Sequence, residues 1–271
     1  MNVLDLFSGI GGFSLGLERA GMKTVAFCEI DKPCQAVLKK HWPDVPIFED
    51  VTKLKGSGLP KDIDVICGGF PCQDISIGGS QKGIAGDRSG LWKEFKRVIN
   101  EVKPRYAIIE NVERLRKNGL GVVLSDLHKI GYNAEWHCIT ARRLGLPMQR
   151  DRLFVISYPS EQRPHERTRE ERQLQNHQVR QGSQVYPNRE QRQFKPGEVC
   201  TILSGGAIDR ARSAYADEFT AVPSVRRVVD GVPTGLDERE RRQRIKQLGN
   251  AVVPQIPELI GRAIMDYENG Y

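Results

Sequence analysis

Three features have residue types and positions suited to chemistry: a glycine-rich turn, a cysteine in a proline loop and a glutamate at a strand end. Ser8-Gly9-Ile10-Gly11-Gly12 follows the short apolar run Asn2–Phe7 and opens a helical stretch. Glycines let a ligand approach the backbone closely, and an acid closing the next strand can hold ribose hydroxyls. Glu29 stands there, 20 residues after Gly9. The turn is not GxGxxG, so it reads either as a nucleotide-cofactor site or as the tight strand–helix turn of any α/β protein. Asp50 follows the apolar stretch Val45–Phe48, placed to reach an adenine amino group or to serve as a plain turn residue. Cys72 lies in Gly68-Gly69-Phe70-Pro71-Cys72-Gln73, directly after the strand Asp62–Cys67. A thiolate there could act as a covalent nucleophile, although a lone cysteine is usually an inert structural thiol. Glu110, in Glu110-Asn111-Val112, closes the strand Tyr106–Ile109. If buried it would hold its proton towards neutrality and could donate it, whereas a strand-end glutamate by itself is mostly a cap or a surface residue.

The elements that must position these groups alternate. Strands are expected at Asn2–Phe7, Thr24–Cys28, Ile63–Gly68 and Tyr106–Ile109, with helices to about Ala20 and over Asp31–His41, Leu91–Val102 and Leu120–Ile130. Glu135–Ala141 and Arg152–Tyr158 read as a strand pair. This order predicts a largely parallel sheet with helices on both faces and an antiparallel addition at its end. Ligands of such sheets bind at the carboxyl edge, where the glycine turn, Cys72 and Glu110 all fall.

A chain of 271 residues gives about one full domain plus something smaller. The AVILMFWYC set supplies 39%, enough for a sizeable core without disulfide or metal staples. No run approaches the ~20 apolar residues of a membrane span. MNVLDLFSG has an acid at position 5 and no basic lead, so it does not read as a signal peptide. The six cysteines form no zinc-type cluster and are expected as reduced thiols in a cytoplasmic protein. A net charge of +7 suits a nucleic-acid partner without establishing one.

The larger domain of alternating strands and helices is expected over residues 1–157. Composition breaks at Pro159: residues 160–193 hold seven Arg, eight Gln and five Glu against four large apolar residues. Such a segment cannot bury a core, so a solvated or disordered insertion is expected within a smaller region, 158–228. Arg226–Arg244 is again basic. Leu248–Tyr271 is amphipathic through Ile256, Leu259, Ile260 and Ile264, a helix expected to pack back, within a C-terminal segment 229–271, onto the first domain.

Five blocks occur in order: Asp5-Leu6-Phe7-Ser8-Gly9-Ile10-Gly11-Gly12, Pro71-Cys72-Gln73, Glu110-Asn111-Val112, Gln149-Arg150-Asp151-Arg152 and Gly249-Asn250-Ala251-Val252. Together they resemble DNA (cytosine-5) methyltransferases over roughly two-thirds of the chain, and Val225–Leu248 is similar to short phage-encoded members. Met148 stands where the family's arginine block has Gln, while both arginines fit.

The resemblance implies that residues 1–157 are the catalytic and cofactor-binding domain, an α/β, Rossmann-like sheet of the S-adenosylmethionine-dependent methyltransferases with helices on both faces, and that 158–228 holds a small irregular target-recognition subdomain. It implies methyl transfer to carbon 5 of cytosine in double-stranded DNA, with the base flipped out. Cys72 would be the covalent nucleophile and Glu110 would hold or protonate ring N3. Arg150 and Arg152 would orient the base and Glu110. S-adenosyl-L-methionine would lie across Phe7, Ser8, Gly9, Gly11, Gly12, Glu29, Ile30, Asp50, Val51, Pro71, Leu91, Asn250 and Ala251. Gly78, Gly79, Gly83, Gly86 and Gly90 would allow a loop to close over the base. No metal or membrane is implied. A cognate restriction endonuclease is the one further protein partner, and the chain is otherwise expected as a monomer in the cytoplasm of a bacterial or phage-infected cell. An RNA cytosine-5 methyltransferase and a catalytically silent DNA-binding relic are the alternatives.

Overall fold

The structure, a computed structural model, describes residues 1–71, 90–144, 146, 150–160 and 237–269. Cys72, Gly78, Gly79, Gly83, Gly86, Met148, Gln149 and residues 161–236, which include nearly all of the expected insertion and recognition region, lie outside the described residues.

Seven strands form one sheet: β1 (Asn2–Leu6), β2 (Lys23–Cys28), β3 (Ile47–Phe48), β4 (Val65–Gly69), β5 (Tyr106–Val112), β6 (Tyr132–Thr140) and β7 (Asp151–Pro159). Their order is β3-β2-β1-β4-β5-β7-β6. The first five run parallel, and β7 is antiparallel to both β5 and β6. Because the first connections wind outward from β1 and the next begins at β4, the order switches between β1 and β4. That gap opens at the carboxyl edge.

Both faces of the sheet are covered, which is why the central strands are apolar without alternation. Leu4, Leu6, Ile66, Ala107 and Ile109 pack with Trp92, Phe95, Val98 and Ile99 of α3 (Gly90–Val102) on one face. On the other, Val3, Val65, Cys67, Ile108 and Phe154 meet Phe13 and Leu17 of α1 (Gly12–Arg19) and the C-terminal helix. Helices α2 (Lys32–His41), α4 (Leu115–Asn118) and α5 (Leu120–Lys129) complete the first half.

Three expectations change. Residues Glu110-Asn111-Val112 lie within β5, paired with β7, rather than after its end. The basic run ends in a helix, α6 (Glu238–Asn250), which buries no residue and so carried no apolar period to read. The chain from Leu248 on is not one helix. Ala251 is extended, Pro254 caps a new start, and α7 spans Gln255–Glu268. Proline fixes its own φ and bars the preceding residue from helical geometry, which accounts for the break.

α7 lies on α1 at very short range. A Cβ on Gly16 would stand 2.2 Å from Pro254 O, and one on Gly261 would stand 2.8 Å from Ala20 Cβ. Tyr106 Oη donates to Glu268 Oε1 at 2.8 Å, and Arg105 pairs with the same carboxylate, fixing the far end. Gly16→Ala is therefore expected to destabilise the fold by about 1–3 kcal/mol, since backbone must move to admit one methyl. Denaturant unfolding of the parent and variant measures it. Unchanged stability would show that this contact is not close in solution.

Candidate active site

Parallel strands deliver their carboxyl ends to one edge. The reversed β7 delivers its first residues to that same edge, which brings the arginine block to Glu110. Arg152 pairs across from Val112 while Glu110 pairs with Phe154. Arg152 and Glu110 are thus diagonal neighbours on one face. Their side chains meet, Arg152 Nε donating to Glu110 Oε1 at 2.8 Å. On the other side Glu110 pairs with Gly69 of β4. A Cβ at Gly69 would stand 2.5 Å from Glu110 Oε2, so the glycine makes room for the carboxylate.

Glu110 is 8% exposed. Burial raises its pKa above the ordinary carboxyl value, and the Arg152 and Arg150 guanidinium groups oppose that rise without cancelling it. This environment favours a group that keeps its proton longer than usual and is held for donation. Asn111, next along β5, donates from Nδ2 to Phe70 O at 3.1 Å. That bond ties the strand carrying Glu110 to the segment Phe70-Pro71 running into Cys72. Asn111 was in the quoted block with no role assigned, and only the fold shows what it holds.

Arg150 behaves differently from its neighbour. Its two terminal nitrogens donate to Gly249 O and Ala251 O, each at 2.7 Å. The structure thus joins Arg152, not Arg150, to Glu110 by a hydrogen bond, and joins the arginine block to the Gly249–Val252 block.

On the β1 side the turn is held from beneath. Phe7 and Gly9 both have φ of 54°, and Gly11 has φ of 86°. A left-handed phenylalanine is uncommon, and such backbone is characteristic of functional turns. Glu29 Oε2 accepts from Gly9 N at 2.7 Å and Oε1 from Asp31 N at 2.7 Å. Ser8 Oγ donates to Asp5 O at 2.6 Å. The three glycines serve different ends. A Cβ on Gly11 would strike the Trp42 ring at 2.6 Å, and one on Gly12 would strike Val252 O at 2.4 Å. Around Gly9 nothing lies within 4 Å. Gly9 alone of the three leaves open space.

Glu29 borders that space through its bond to Gly9 N, and the other residues expected to hold an adenosine carrying a sulfonium have the following environments. Glu29 offers remaining carboxylate lone pairs to a diol. Ile30 follows it, 73% exposed, as an apolar surface for a ring. Asp50 accepts from Thr52 N and Oγ1 at 2.9 and 2.7 Å, and these bonds hold its pKa below the ordinary value. It therefore stays ionised and can receive an amino group. Phe7 packs against Phe95 with ring centroids 6.0 Å apart. Val51 is buried in the core beneath, Leu91 is half-buried against it, Pro71 is exposed, and Asn250 is exposed at the end of α6. Glu29→Ala is expected to weaken S-adenosylmethionine binding by about 1–3 kcal/mol, for a lost hydrogen bond to a charged group. Calorimetry without DNA reads it. Unaltered affinity would mean that the ribose is held elsewhere.

Asp5 is fully buried beneath the turn, opposite Cys67 in the strand pairing, and accepts from Ser14 Oγ at 2.8 Å. Burial pushes its carboxyl up to about 8. It pins α1 to β1, a part the sequence alone did not reveal. Among the described residues no group of side chains could hold a metal ion, and no helix is long and apolar enough to cross a membrane.

The chain is 38% identical over 165 residues to the type II methyltransferase M2.BsuMI of Bacillus subtilis, covering 58% of this chain and 42% of that protein. It is 39% identical over 165 residues to M.CviJI of Paramecium bursaria Chlorella virus IL3A, covering 60% and 44%. The chain thus spans less than half the length of these curated relatives. A solved structure described as a DNA modification methyltransferase encoded within an Escherichia coli prophage superposes with a TM-score of 0.51 at 28% identity, over 59% of this chain and 47% of that one. A Spodoptera frugiperda DNMT2 variant shares the fold, with a TM-score of 0.51 at 19% identity, over 62% and 53%. The glycine turn and the paired Glu110 and Arg152 share one sheet edge, and the family model for C-5 cytosine-specific DNA methylases matches residues 1–218: the chain belongs to that family.

Proposed function

We propose that this protein transfers a methyl group from S-adenosyl-L-methionine to carbon 5 of cytosine in double-stranded DNA, through a covalent Cys72 adduct on a flipped-out base. The observation that supports it most is the pairing of buried Glu110 with half-buried Arg152 at 2.8 Å, one strand away from the chain that enters Cys72. Cytosine carbon 5 is a poor nucleophile. Addition of the Cys72 thiolate to carbon 6 forms a C–S bond and pushes the ring electrons towards N3 and carbon 5. Glu110 gives its proton to N3, so negative charge does not build up on the ring. Arg152 holds Glu110 in place with a rigid guanidinium. When bound, S-adenosylmethionine supplies an electrophilic methyl on a positively charged sulfur. A water then takes the proton from carbon 5, the C–S bond breaks to release the Cys72 thiolate, and the N3 proton returns to the Glu110 carboxylate, which restores the neutral ring.

On this reading residues 1–157 and the C-terminal segment 229–271 form the catalytic and cofactor-binding body, and 158–228 selects the target. The target base cannot be reached while stacked, so it must leave the helix. A cognate restriction endonuclease cutting the same site is the protein partner, and the enzyme acts as a monomer in the cytoplasm.

Bisulfite sequencing of DNA from cells expressing the chain tests this directly, beside transfer of labelled methyl to duplex DNA and to transfer RNA. Methylcytosine at a recurring DNA sequence is expected. Label in transfer RNA alone would move the substrate to RNA, and label in neither would leave a silent binding protein.

A further inference from the structure

The fork of Arg150 reaches backbone far away in sequence. Its acceptors, Gly249 O and Ala251 O, lie 99 and 101 residues on, at the end of α6. Carbonyls there lack helical partners and favour a cation. The extended strap that follows lies on α1: Val252 O is 2.4 Å from where a Gly12 Cβ would be, and Pro254 O is 2.2 Å from that of Gly16. α1 itself begins at the glycine turn that Glu29 holds. Building on the proposed methyl transfer, we infer that Arg150 is a positioning residue for cofactor binding, clamping the strap 249–254 against the start of α1 rather than contacting the base.

The anchoring of the strap is unequal. Downstream, α7 is fixed by buried Ile256, Leu259, Ile260 and Ile264 and by Glu268 on Tyr106. Upstream, α6 buries nothing, and Gln247 Nε2 donates to Cys34 Sγ at 3.7 Å, a weak bond. Removing the fork therefore frees the end of α6 and Asn250 while leaving the α1–α7 packing, so the variant should fold. Arg152 keeps its own bond to Glu110. The remaining Arg150 donor, Nε, is buried without a hydrogen-bond partner among the described residues, so both hydrogen bonds of this side chain serve the strap.

The test uses the full chain with S-adenosylmethionine and no DNA. Arg150→Ala is expected to weaken binding by calorimetry about tenfold or more, the scale of a lost charged hydrogen bond. Arg150→Lys should not restore it, because one ammonium cannot span two carbonyls in a fork. Adding Asn250→Ala to Arg150→Ala should cost little further, since the first change already frees that residue. Raising the cofactor concentration should recover most of the lost methyl transfer. Cofactor affinity within twofold of the parent in Arg150→Ala, or full recovery by lysine, overturns the inference. A parent chain that does not bind S-adenosylmethionine overturns the functional reading itself, a result visible before any variant is made.

Discussion

Cys72→Ser is expected to bind S-adenosylmethionine within a few-fold of the parent and to lose methyl transfer by at least about a thousandfold, because removing a covalent nucleophile forfeits the pathway it opens. Serine nearly matches cysteine in volume, so the exchange alters chemistry far more than shape. Near neutral pH, however, its hydroxyl is almost never ionised, whereas a thiol is ionised to a few per cent even when unperturbed. The strand that delivers Cys72 is fixed on both sides: β4 pairs with β1 and β5, and Asn111 holds Phe70 O. A serine placed there would be presented to carbon 6 and still fail. DNA carrying 5-fluorocytosine sharpens the measurement. With fluorine in place of the departing proton the adduct cannot be released, so the parent should leave a protein–DNA species that survives denaturation, and the variant none. Substantial turnover by Cys72→Ser would rule out covalent catalysis by this residue.

What the sequence made legible follows from where its information is local. The central strands are buried on both faces, so they are short continuous apolar runs, and helices such as α3 repeat Leu91, Phe95, Val98 and Ile99 at helical spacing, the last three of them buried. Alternation and parallel topology could be read from that. The strand pair at the end was legible for the same reason, but β7 lying between β5 and β6 was not, since insertion order is a matter of pairing and leaves no mark on periodicity. That order matters, because it sets Arg152 beside Glu110. α6 was missed because no residue in it is buried and nothing periodic remains to be seen. The partners of Arg150 were illegible for a different reason: they are backbone carbonyls, which every residue type supplies. Similarly, the sequence shows three glycines in the first turn but not that Trp42 and Val252 fill the space beside two of them.

Glu110→Gln is expected to lower methyl transfer about a hundredfold to ten-thousandfold, the range of a lost general acid, with cofactor binding unchanged. Glutamine keeps the volume beside Gly69 and can still hold N3 through a hydrogen bond, but it has no proton to give. The pH dependence separates these two roles. Burial holds the pKa of Glu110 above the ordinary value, so its protonated form persists upward in pH and is lost as pH rises through that raised pKa. Thiolate at Cys72 increases over the same direction. The parent should therefore show a bell-shaped rate profile whose alkaline limb belongs to Glu110. In Glu110→Gln that limb disappears and only the rise with thiolate remains. Arg152→Ala adds an independent check of sign. Its guanidinium stabilises the ionised carboxyl, so removing it leaves burial less opposed and should shift the rate profile to higher pH, even as the looser carboxyl lowers the maximum rate. A profile that stays in place in Arg152→Ala, or an alkaline limb that survives in Glu110→Gln, would assign the alkaline loss to another group and leave Glu110 as a holder of the base alone.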